Sequence, residues 1–332
     1  MRSSSAHPVS DGPELTRFYD PAKLDLQIEW AKGLPNDSRD TVLRALRKAQ
    51  QLGPDRQVAP APDPGVLEAL SRDFPNFDAV TQFVIQRLYL CRVCPEQHLK
   101  LAPMLLTGPP GVGKTAYCRR LAIALGLRFE VQDLAQDNAN FAMLGLDVGY
   151  ATGKPGRIWQ SLMHESVSVL WLLDELDKAA KDHRYGGVDY LLGLLEPVTA
   201  GSFTDAATQL PVNASWIAWV ATCNSLDMIS PPLRSRFEVF EIGAPTPEQM
   251  VAVIRSVQRD IYAHEHWARA FPADLDSAVI DALSAYSPRV LRRALINACA
   301  RAAAAGRREI CVEDIVDPPD AVPSRQRRMG FV

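Results

Sequence analysis

No stretch restricts the folds open to this chain as tightly as Gly108-Pro-Pro-Gly-Val-Gly-Lys-Thr115. It fits G-x-x-x-x-G-K-[ST], the spacing of a phosphate-binding loop. Glycines at 108, 111 and 113 let backbone N–H groups close on phosphate oxygens. The helix that starts behind the loop aims its positive dipole end the same way. Lys114 supplies a point charge for the β and γ phosphates, and the Thr115 hydroxyl can bind Mg²⁺. The flanks suit the motif: Met104-Leu-Leu106 reads as a strand, and Thr115–Leu125 reads as a helix closed by Gly126. A bare glycine turn with a surface lysine would need neither flank. Gly108, Pro109, Pro110, Gly111, Val112, Gly113, Lys114 and Thr115 are therefore read as a nucleoside triphosphate site.

From Val66 onward helical and extended patterns alternate. The apolar runs Met104–Leu106, Phe129–Val131, Val167–Leu173, Trp216–Ala221 and Val239–Ile242 are mostly continuous, as in strands buried on both faces of a parallel sheet. The fold class is α/β. The third run leads into Leu172-Leu-Asp-Glu-Leu-Asp177. An apolar strand ending in Asp-Glu is the second half of a triphosphate site: Asp174 reaches the Mg²⁺ shell, and Glu175 orients or deprotonates the attacking water. Acidic residues often follow buried strands, so this pattern gains its weight from the phosphate loop upstream.

Composition narrows the classes further. The 332 residues are 47% hydrophobic, enough for one core domain and a smaller partner. Net charge is −3, so no global basic field draws the chain to nucleic acid. No apolar run approaches the roughly 18 residues of a membrane span, and residues 1–10 lack an apolar leader core, so a cytoplasmic location with no membrane is expected. Six cysteines are scattered. Cys91-Arg-Val-Cys94 sits in an apolar helical pattern without a second pair at zinc spacing, and buried, reduced thiols are expected. Residues 1–14 are rich in Ser, Pro and Gly, which suits disorder. Residues 21–52 hold two short helical patterns, and Pro54–Gly65 reads as a linker. Whether residues 1–65 form an adaptor or a cap on the main domain is open at this level. Ala244-Pro-Thr-Pro-Glu-Gln-Met250 reads as a helix start, with Thr246 as N-cap and Pro247 in the first turn, opening an all-helical stretch to about residue 318.

The combination resembles the AAA+ ATPases. That resemblance implies ATP and Mg²⁺ as cofactors. The implied fold is a P-loop NTPase with a three-layer αβα core, a five-stranded parallel sheet and a small helical lid. Val220-Ala-Thr-Cys-Asn-Ser225 resembles the sensor 1 strand, where Asn224 would hold the lytic water. Ile229–Phe237 resembles the arginine-finger segment, with Arg236 the better match and Arg234 the alternative. Such a finger acts in trans on a neighbouring subunit's nucleotide. Tyr286–Leu295 resembles sensor 2, with Arg289 facing the nucleotide and Arg292 and Arg293 close by.

Within AAA+ the chain is similar to the ATPase module of the Lon proteases over about residues 66–318. Tyr150-Ala-Thr-Gly-Lys-Pro-Gly-Arg-Ile158 resembles the Lon pore loop, in which Tyr150 would grip a threaded polypeptide, and Gly201–Ser215 would be an inserted β-hairpin. The resemblance divides the chain into an N-terminal piece (1–65), a nucleotide-binding domain (66–243), a lid (244–318) and a basic tail (319–332). Lon continues into a Ser–Lys peptidase domain that these residues do not contain, so no peptidase activity is expected of them. The implied function is a protein-unfolding ATPase working as a ring, a hexamer by analogy, on a protein substrate, with a separate protease or adaptor as a candidate partner. Two alternatives share the same nucleotide motifs: a DNA remodeller of the clamp-loader or branch-migration kind, disfavoured by the net charge, and a nucleotide-gated assembly scaffold. The tail Ser324-Arg-Gln-Arg-Arg-Met-Gly-Phe-Val332 reads as either a docking peptide or a frayed terminus.

Overall fold

Strand β1 (Leu15–Arg17) pairs antiparallel with β2 (Asp55–Gln57), and helices Pro21–Lys32 and Asn36–Leu52 fill the interval. The computed structural model describes residues 15–94, 98–135, 139–149, 153–179 and 187–316. β2 lies inside the stretch read as a linker, and the reason is Arg56. Its side chain is 1% exposed and donates to the carbonyls of Gly53 and Ala49. The guanidinium lies 5.0 Å from the centre of the Phe18 ring, a cation–π contact. Burial holds its pKa below the usual arginine range. Phe18, Tyr19, Leu24, Val42 and Leu46 join the same apolar cluster as the sheet. Backbone bonds tie the piece down: Asn213 N donates to Phe18 O (2.7 Å), and Val167 N to Gln57 O (3.0 Å). Residues 15–58 thus form a cap packed into the main core. Replacing Arg56 with Ala strands those carbonyls and opens a cavity, so the variant should lose about 2–4 kcal/mol. Denaturant unfolding measures this, and an unchanged midpoint would contradict it.

The main sheet follows the predicted runs. β3 (Met104–Thr107), β4 (Arg128–Asp133) and β5 (Val169–Asp174) come first. The short antiparallel pair β6 (Phe203–Thr204) and β7 (Pro211–Val212) lies where an inserted hairpin was expected. β8 (Ile217–Cys223) and β9 (Glu238–Glu241) complete the set. The sheet order is β4-β5-β8-β3-β9, parallel throughout. Every residue of β3 and β8 is buried, as both-face coverage requires, whereas the edge strand β9 leaves Val239 36% exposed.

The described chain divides into two compact units. One holds residues up to Leu67, Val80–Gly108 and Thr115–Glu241. The other holds Glu68–Ala79, Pro109–Lys114 and residues from Ile242 onward. The second unit's helices, Pro247–His264, Ser277–Leu283 and Pro288–Ala304, share a core of Ile254, Ile261, Leu283, Leu291 and Leu295. Thr246 and Gln249 form the reciprocal capping box that starts the first of them. Among the described residues no helix is long and apolar enough to cross a membrane.

All six cysteines are free, but not all are buried. Cys94 is exposed and Cys91 partly so, because the buried stripe of helix Asp78–Val93 runs through Val80, Val84 and Leu88 and Cys94 lies beyond its last residue.

Candidate functional site

The phosphate loop follows β3, and helix Lys114–Ala124 follows the loop. Gly111 (φ +84°) and Gly113 (φ +106°) occupy the left-handed region, where a side chain would be strained. Gly111 is also crowded. A Cβ there would come within 3.1 Å of the Arg289 Cβ, so the arginine stem lies against the loop. Arg292 is engaged elsewhere, with Glu265 (3.2 Å) and Asp260 (3.7 Å). Lys114 is largely buried and its Nζ donates to Pro109 O at 3.1 Å, folding the cation over the loop.

Asp174, at the carboxyl end of β5, accepts from two hydroxyls. Thr115 Oγ1 donates to Oδ2 at 3.0 Å, and Thr222 Oγ1 donates to Oδ1. The Mg²⁺ residues named from the sequence, Thr115 and Asp174, are therefore in direct contact. A hydroxyl and a carboxylate are hard oxygen donors of the kind Mg²⁺ takes when phosphates complete its shell. Among the described residues, no group of three or more His, Cys, Asp or Glu side chains is placed to hold a metal ion by itself.

Glu175 adopts φ +61°, uncommon for a non-glycine residue and of the kind that gathers at functional sites. Its N–H donates to Thr222 Oγ1 at 3.2 Å, and its carboxylate meets Lys178 Nζ at 2.6 Å. The hydrogen bond to Glu175 raises the Lys178 pKa. Asn224 is exposed just past β8, and its N–H donates to the buried Asp177 at 3.2 Å. Thr222, Asp177 and Lys178 were not read from the sequence as site residues. A signal was present for two of them: Asp177 and Lys178 follow Glu175 at two and three positions. Thr222 depends on register, since Leu173 pairs with Ala221 and brings the next residues of β5 and β8 together.

Asn76, likewise missed, donates from Nδ2 to Val112 O (3.4 Å) and Gly243 O (3.1 Å). Arg234 is exposed. Arg236 is half-buried and its Nη1 donates to Pro232 O at 2.7 Å.

Tyr150 lies outside the described residues. The base of its loop is described: Leu146 and Lys154 exchange backbone hydrogen bonds of 2.9 and 3.2 Å. The buried carboxylate of Asp205, beside β6, clamps this base. Oδ2 accepts from Gly156 N at 2.7 Å, and Oδ1 from Ala207 N and Thr208 N at 3.0 Å each. A Cβ at Gly156 would lie 2.3 Å from Gly145 N, so the backbones meet with no room for a side chain. Burial raises the Asp205 pKa above the usual carboxylate range, and the three N–H groups pull it partly back. Asp205→Asn must turn an amide NH₂ toward one set of these donors. The variant is expected to lose about 1–3 kcal/mol. Thermal denaturation checks this, and an unaltered melting temperature would contradict the clamp.

The family described as "ATPase family associated with various cellular activities (AAA)" matches residues 104–243, the span from β3 to just past β9. The Lon protease of Chloroflexus aggregans is 31% identical over 198 residues, covering 58% of this chain and 24% of that protein. The peroxisomal Lon protease homolog 2 of Oryza sativa subsp. indica is 34% identical over 188 residues, covering 56% of this chain and 21% of its own length. The chain thus spans about a quarter of the length of these curated relatives. Among solved structures, a chain of the S. cerevisiae Hsp104:casein complex in its extended conformation aligns with TM-score 0.58 at 15% identity, covering 84% of this chain and 51% of that one. That likeness speaks to the fold alone. Residues 104–243 are thus similar to the AAA ATPase family, and part of the chain is similar to Lon proteases.

Proposed function

We propose that this chain is an ATP-driven motor that remodels or unfolds proteins. The observation that supports it most is Asp174 bonded to both Thr115 and Thr222, beside Glu175, in a module similar to Lon's. Thr115 and Asp174 would hold Mg²⁺, which supplies charge neutralisation across the phosphates. The loop N–H groups and Lys114 hold the triphosphate. Glu175 exchanges its Lys178 partner for the attacking water and takes the proton, while Asn224 orients that water. Arg289, with its stem against Gly111, senses the bound nucleotide. Arg236, with Arg234 as the alternative, completes a neighbouring protomer's site. The working form is then a ring, a hexamer by analogy with Lon, and Tyr150 is the residue that grips polypeptide. A separate protease or adaptor fits the same scheme, and the cytoplasm is the location it suits.

ATP turnover measured with an unfolded protein and with duplex DNA tests this reading. Stimulation by unfolded protein is expected. Stimulation by DNA that fades with salt would replace the reading with a nucleic-acid remodeller. Stimulation by neither would point to the scaffold.

A further inference from the structure

A cavity of about 400 Å³ lies among the C-terminal helices, lined by Tyr262, Trp267, Phe271 and Leu275 and bordered by Asp274 and Glu309. Its volume falls in the range of ligand pockets, and its lining is mostly apolar. Trp267 and Phe271 meet edge to face, ring centroids 6.1 Å apart, and Trp267 is still 38% exposed. The polar groups of the wall are already used. Tyr262 Oη donates to Phe271 O, and Gln258 Nε2 to Ala273 O at 2.8 Å. Burial pushes the Cys299 thiol up to about 11, so it stays a neutral part of the wall. What remains is carboxylate. Asp274 and Glu309 have no ion-pair partner among the described residues, and no lysine or arginine is found in the lining.

Aromatic faces beside unpaired carboxylates are the chemistry that holds a guanidinium or ammonium group, by cation–π attraction and charge together. We infer that this cavity is a docking site for a peptide segment in which arginines adjoin an apolar aromatic residue. The arginines meet Asp274 and Glu309, and the apolar residue fills the space against Trp267 and Phe271. None of the residues lining the cavity belongs to the nucleotide site, and the inference does not depend on that site's assignment. Ser324-Arg-Gln-Arg-Arg-Met-Gly-Phe-Val332 of this chain, outside the described residues, has that composition and supplies a probe.

The test is calorimetric titration of a synthetic Ser324–Val332 peptide into the full chain carrying Arg325→Gln, Arg327→Gln and Arg328→Gln, so that the chain's own arginines cannot compete. One-to-one binding that weakens with salt is expected. Adding Asp274→Asn and Glu309→Gln, both exposed positions, should weaken it about tenfold or more. A peptide with its arginines replaced by glutamine should bind no better than that. Absence of binding would overturn the inference. So would equal affinity for the glutamine peptide, which would make the cavity a purely apolar site, or equal affinity in the doubly neutralised variant, which would place the peptide elsewhere.

Discussion

Arg236→Ala should cut ATP turnover roughly 10³-fold or more while leaving nucleotide affinity near that of the wild type, because a finger acts on transition-state charge and not on the ground state. The split between turnover and affinity is what the measurement reads. Arg236 is half-buried, and its Nη1 donates to the Pro232 carbonyl of its own protomer. Steady-state phosphate release paired with equilibrium binding of a fluorescent ATP analogue gives both quantities. Arg234→Ala, measured in parallel, decides which of the two is the finger. Loss of binding in step with turnover would assign Arg236 a structural role instead.

Glu175→Gln is expected to retain ATP and to slow hydrolysis by about 10²–10⁴-fold, the usual cost of losing a general base. Glutamine keeps the size of the side chain and can still sit beside Lys178, so the strained φ of +61° and the Thr222 contact should survive. Single-turnover measurement separates the chemical step from product release. Normal phosphate release by this variant would remove Glu175 from the mechanism. Proteins that remain associated with the ATP-loaded variant would name the substrate.

How much of this was legible beforehand depends on distance along the chain. The phosphate loop could be read because its eight residues act through local backbone geometry, and three glycines with Lys114 and Thr115 leave few other uses. The Asp174–Glu175 pair was legible for the same reason, as a strand end. The parallel sheet was legible because β3, β5 and β8 are buried on both faces and so lose polar alternation. Thr222 was not, because its role exists only once β5 and β8 pair in their register. Asn76 reaches carbonyls 36 and 167 residues away, a relation no spacing announces. Cys91 and Cys94 mark the limit of periodicity: an apolar run says that a face is buried, not where along the helix the burial stops. Residues 15–58 were ambiguous because a cap and an adaptor have the same short amphipathic helices. The burial of Arg56, the apolar cluster that Phe18, Tyr19, Leu24, Val42 and Leu46 share with the sheet, and the backbone bonds to Asn213 and Val167 place them in the core.

In the proposed shared site one protomer holds the triphosphate and its neighbour supplies the cation. ATP turnover of an equimolar mixture of Lys114→Ala and Arg236→Ala chains tests it directly. Each variant alone should be inactive, the first for want of bound nucleotide and the second for want of its finger. In the mixture, interfaces that pair an intact Lys114 loop with an intact Arg236 should restore a measurable part of the wild-type rate. A mixture as inactive as its components, with co-assembly of the two chains verified, would contradict a shared site.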